Sequence, residues 1–87
     1  MVPKINIKLF ATFRESGAVG EENAKTLDEI GSSLTPFMQK RLFNKPLKMQ
    51  IAGKRIFNIG DKYYLAEKYS KLPIEKLLDM FKSEEEQ

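Results

Sequence analysis

The sequence predicts an α+β domain, with strands near both ends of the body and helix between them. Three observations carry that expectation. Ile5, Ile7, Leu9, Ala11 and Phe13 fall on alternate positions, opposite Asn6, Lys8 and Thr12, which is the period of a half-buried strand. Thr26-Leu-Asp-Glu29 has the spacing of a capping box, the signature of a helix start. Ile74, Leu77, Leu78 and Phe81 recur at helical spacing after Pro73 and form an apolar stripe.

The elements follow in order. The first strand covers residues 5–13, with Phe10 intruding on its polar face, where it would cover an edge, meet a partner or enter a second layer. Residues 14–20 hold Gly17 and Gly20 and read as a turn. Residues 21–25 are a short second strand returning as a hairpin. Thr26 then caps a helix whose apolar positions are Leu27, Ile30 and Leu34, with Asp28 and Glu29 at its positive end. Pro36 lacks an amide donor and does not fit a helix interior. Thr35 is therefore read as a second cap, with Pro36 at the first helical position. Phe37, Met38, Arg41 and Leu42 continue that turn, and Asn44-Lys45-Pro46 ends it. Leu47, Met49 and Ile51 alternate with Lys48, Gln50 and Ala52, which predicts another strand. Gly53-Lys54 turns into a short strand at residues 55–57. Residues 59–62 turn again, with Gly60 at positive φ, into a last strand at Tyr63, Tyr64 and Leu65.

Composition restricts the chemistry. The 87 residues contain no cysteine, histidine or tryptophan. Thiolate nucleophiles and zinc–thiolate sites are thereby excluded, and so are the commonest general base and the commonest metal ligand. The length fits one domain, residues 1–87, which buries roughly 60–65% of its unfolded surface. No apolar run approaches the ~20 residues that span a bilayer, so no membrane role is expected. Met1 to Lys8 has no signal-peptide core, and a cytoplasmic location is expected. The carboxylates Asp28, Glu29 and Asp61 have cap and turn explanations, so no catalytic residue, metal or cofactor is expected.

Charge is unevenly laid out. The net charge is +3, and Glu84, Glu85 and Glu86 form an acidic tail. Between Gly31 and Gly60 lie Lys40, Arg41, Lys45, Lys48, Lys54 and Arg55, with no acidic residue among them. That stretch is either a solvated surface or a patch that steers an acidic partner such as nucleic acid. It lacks the arginine richness and interleaved aromatics of a strong nucleic-acid signal.

The string Lys4-Ile-Asn-Ile-Lys-Leu-Phe-Ala-Thr-Phe-Arg-Glu15 resembles the first strand of the ubiquitin-like sulfur carriers. These form the MoaD/ThiS superfamily, which includes the small subunit of molybdopterin synthase. Thr26 at the helix start, Gln50-Ile-Ala-Gly-Lys54 and Gly60-Asp-Lys-Tyr-Tyr-Leu65 resemble later family segments in the same order. The resemblance implies a β-grasp (ubiquitin-like) fold over residues 4–66. In it a mixed sheet packs on a central helix, and residues 72–87 add a C-terminal helix and acidic tail. Family carriers act through a C-terminal Gly-Gly carboxylate, slim enough to enter a partner's active site. No two of the five glycines here are adjacent, and the sequence closes Glu-Glu-Glu-Gln. The resemblance therefore implies a non-catalytic protein-interaction module, with an adenylating enzyme or an enzyme large subunit as the partner type. Phe10 and the stripe Ile74, Leu77, Leu78 and Phe81 are its candidate contact residues. That stripe either covers the domain's own sheet or docks in a partner's groove. Sulfur-carrier activity and nucleic-acid binding through the basic stretch are the alternatives.

Overall fold

The computed structural model describes residues 4–73, 75–77 and 79–80. Its fold is α+β: among the described residues, several helices pack with a three-stranded antiparallel sheet. Helix α1 spans Lys4–Ser16, strand β1 Lys25–Thr26 and helix α2 Leu27–Ile30. Helices α3 (Pro36–Leu42) and α4 (Lys45–Ala52) follow, then a hairpin of β2 (Ile56–Ile59) and β3 (Lys62–Leu65).

Residues 5–13 are helix, not strand. The alternating isoleucines are only half-buried, whereas Asn6, Leu9, Phe10 and Phe13 are buried. Those four stand at i, i+3, i+4 and i+7, one face of a helix. The polar Asn6 within that stripe hid the period. Thr12 is also buried, and its hydroxyl donates to the Lys8 carbonyl one turn back at 2.8 Å.

Residues 47–52 are likewise helical. Leu47 and Gln50 are buried while Met49 is exposed, so the inward spacing is three, not two. Pro46 does not merely end the preceding helix. It sits in the first turn of α4, where its missing amide is not needed. Asn44 and Pro46 thus break what would be one long helix into α3 and α4.

The second strand predicted at residues 21–25 shrinks to Lys25–Thr26, preceded by a 3₁₀ turn at Glu21–Asn23. It pairs with β3 and not with the N-terminal segment, giving the strand order β1-β3-β2. The last hairpin is as expected. Ile56 faces Leu65, Phe57 faces Tyr64 and Ile59 faces Lys62, around a two-residue turn with Gly60 at φ 62°. Asn58 braces the turn by donating to the carbonyls of Gly60 and Lys62, each at 3.0 Å.

Both helix caps read from the sequence are present. The Glu29 amide donates to the Thr26 hydroxyl, and the Thr26 amide donates to the Glu29 carboxylate, each at 3.2 Å. The Thr35 hydroxyl accepts from the Met38 amide at 3.2 Å, with Pro36 opening α3.

Leu9, Phe10 and Phe13 of α1 form the centre of the core. Ile30 and Leu42 from the middle helices, and Ile56 and Leu65 from the hairpin, close around them. The segment after β3 joins this core. Arg14 donates to the carbonyls of Tyr69 at 2.5 Å and Leu72 at 2.6 Å, and Leu77 is buried. Residues 75–77 and 79–80 are helical, in keeping with the expected C-terminal helix. Ile74, Leu78, Phe81 and the acidic tail lie outside the described residues.

Candidate functional site

The connection from α2 to α3 is held by side chain and backbone together. Gln39 reaches back from α3 and donates to the carbonyls of Gly31 at 2.8 Å and Leu34 at 3.3 Å. Gly31 is buried, and a Cβ there would stand 2.7 Å from the Phe43 ring. The two helices therefore meet closely, with a fixed turn between them. Inward, α3 contributes Leu42 to the core and packs Met38 against it. Phe37, Lys40 and Arg41 are left outside.

That outward face carries Lys40 and Arg41 of the basic stretch, and Lys45 lines a hollow with them. Lys40, Arg41, Lys45, Lys48 and Lys54 are all exposed. Lys45 and Lys48 are one helical turn apart on α4 and share a face. Arg55 is half-buried and donates to the Gln50 side chain at 3.1 Å, so part of its guanidinium is engaged in the fold. Lys54 takes a left-handed conformation, φ 60°, just past the end of α4.

A hollow of about 380 Å³ opens where α3, α4 and α1 meet. Its apolar wall is Phe37, Ile5 and Pro46. Lys40, Arg41, Asn44 and Lys45 line the rest, with no carboxylate among the described residues that line it. Phe37 is 67% exposed. The Arg41 guanidinium lies over its ring, 5.8 Å from the centroid.

Two other hollows have the opposite character. One lies between the start of α2 and the hairpin turn, with Asp28 and Asp61 in its wall. The other includes Glu15 and Glu29. Glu29 is held below its ordinary value of 4.5, chiefly by the Thr26 backbone hydrogen bond and then by the Thr26 hydroxyl. Among the described residues no group of three or more acidic, histidine or cysteine side chains is placed to hold a metal. No helix among them is long and apolar enough to cross a membrane.

The contact residues expected from the sequence are placed differently. Phe10 is fully buried and meets the Tyr69 ring edge-on at 5.9 Å, so it is core and does not face a partner. Leu77 is 1% exposed and packs within the chain, which removes it from any free binding stripe. Ile74, Leu78 and Phe81 fall outside the described residues. Phe37 and Asn44 line the basic hollow and were not among the residues singled out from the sequence. A signal for Phe37 was present: Met38 and Leu42 stand four apart, and a helix that buries those two turns Phe37 and Arg41 outward together. No protein-family model, curated protein or solved structure was found to match the chain.

Proposed function

We propose that this chain is a non-catalytic nucleic-acid-binding domain of winged-helix type, gripping phosphates through α3 and α4. The observation that carries the reading is the carboxylate-free stretch from Gly31 to Gly60, folded so that Lys40, Arg41, Lys45 and Lys48 stand exposed on consecutive helices. Its context supports the same reading. A helix, a short strand, the three short helices α2, α3 and α4, and a closing β-hairpin, with the first strand beside the last, resemble the layout of winged-helix domains. The turn of the hairpin, the wing in such domains, carries Asp61 beside Lys62. The reading therefore rests on the helices and not on the wing. A cytoplasmic location accords with it.

The ubiquitin-like β-grasp reading, with an adenylating enzyme or large subunit as partner, drew on strands at 5–13 and near 50–54. Residues 4–16 and 45–52 are helical, so no observation now favours that reading or sulfur transfer over binding to an acidic polymer.

Salt dependence tests the proposal. Four phosphate contacts give a slope of log affinity against log salt of roughly −3 to −4, on the order of a hundredfold weakening between about 50 and 200 mM. Lys45→Ala is expected to make that slope shallower by about one and to weaken binding alike on all sequences. Binding that ignores salt, or none at low salt, contradicts it.

A further inference from the structure

The hollow beside Phe37 goes beyond phosphate gripping. We infer that it accepts a single unpaired base, so that the preferred ligand is a nucleic-acid strand with an unstacked nucleotide and not an unbroken duplex. The inference rests on the nucleic-acid reading and names its substrate class.

The lining is what an unpaired nucleotide needs. One wall is an aromatic ring, and Ile5 and Pro46 extend the apolar surface around it. Every base has a π-face, so an exposed ring beside cations is a stacking platform. Lys40, Arg41 and Lys45 line the same hollow and supply positive charge for the phosphates that flank a base. Asn44 also lines the hollow, and an asparagine side chain carries both a donor and an acceptor of the kind a base edge needs. The hollow, about 380 Å³, is an open depression and not an enclosed cavity, so it would cover one face of a base and leave the strand free to run past it.

Shape excludes the paired alternative. Within a continuous duplex each base shows its faces only to its stacked neighbours, and the grooves offer edges alone. A phenylalanine ring stacks on a base only where the stack is opened, and an unpaired nucleotide offers that face without the cost of unstacking a duplex step. Phe37 is not needed by the core, which α3 reaches through Met38 and Leu42. Its exposure is accounted for by a ligand that is itself flat, apolar and flanked by negative charge.

The chain has no tryptophan, so Phe37→Trp introduces one probe at the site. It is titrated at low salt with a short oligothymidylate and with a blunt duplex of equal length. The single strand is expected to quench the fluorescence and the duplex to leave it unchanged. Phe37→Ala, with its fold checked by circular dichroism, is expected to bind the single strand about tenfold more weakly and the duplex as before. A single strand that binds the Phe37→Ala protein as tightly as the unsubstituted one overturns the inference. So does a single strand that binds without quenching the tryptophan, although the nucleic-acid reading then stands. No binding of either nucleic acid overturns both.

Discussion

Thr26 and Glu29 exchange two hydrogen bonds at the start of α2, and the one that the Glu29 carboxylate accepts is stronger when it is ionised. The Thr26 backbone amide, then its hydroxyl, hold the Glu29 pKa below 4.5 in the folded chain. A group whose folded pKa is depressed contributes stability above its unfolded pKa and loses it as pH falls through the folded value. The cap should therefore weaken in acid, starting below about pH 4.5. The side chain is fully exposed, so the effect is modest. Urea unfolding at neutral pH and near pH 3 should show a larger acid loss for the natural chain than for Glu29→Gln, whose amide oxygen keeps a hydrogen bond but does not titrate. Equal losses would contradict the role of the charge. This cap was legible because its chemistry is local: two residue types three apart are sufficient. Lys54 was less legible. The turn was expected at Gly53-Lys54, yet Gly53 keeps φ −81° and the lysine takes the left-handed position. A glycine fixes where a left-handed residue costs least, not where the chain will place it.

At the scale of elements, periodicity misled wherever a polar side chain was buried. Asn6 in α1 and Gln50 in α4 both face inward, each with one side-chain atom unpartnered. Counting apolar residues alone then favoured the alternating isoleucines in one segment and Leu47, Met49 and Ile51 in the other. The segments whose start has its own signature, α2 with its capping box and α3 with Thr35-Pro36, were legible. So was the β2–β3 hairpin, which has glycine at its turn and aromatics in its strands. The basic stretch was visible in the sequence as well, but as a list of charges. Its gathering onto a face depends on the break between α3 and α4. That face is held by the α2–α3 turn, which Gly31 makes possible. An alanine there brings a methyl to 2.7 Å from the Phe43 ring and 3.1 Å from the Gln39 side chain. Overpacking of this kind costs roughly 1–3 kcal/mol. Gly31→Ala should lower unfolding stability by that amount. It should also weaken nucleic-acid binding at temperatures where the variant is still folded, because Gln39 can no longer fix α3 against α2. Unchanged stability would mean that the ring moves aside freely.

The whole molecule depends on a segment that lies beyond the sheet. Arg14, at the end of α1, donates to the carbonyls of Tyr69 and Leu72, and Phe10 meets the Tyr69 ring. These contacts hold the chain after β3 against α1, and Leu77 then inserts into the core at 1% exposure. A stripe offered to a partner would leave Leu77 accessible in the isolated domain, and stability would not depend on it. Packed within the chain, it contributes like any buried leucine. Leu77→Ala should cost about 2–5 kcal/mol. Native domains are stable by only about 5–15 kcal/mol, and a chain of 87 residues with a thin core stands toward the lower end. The variant should therefore lose a large share of its total stability, and Leu77→Asp should not fold at all. Met49→Ala is the control, since that side chain is 52% exposed on α4 and its removal should change stability by less than about 1 kcal/mol. Thermal unfolding of the two alanine variants separates the cases. A large loss confined to Leu77 places the C-terminal segment inside the cooperative unit. Equal and small losses would return it to the surface as a ligand for another protein, and the basic face of α3 and α4 would then not be the chain's sole means of contact.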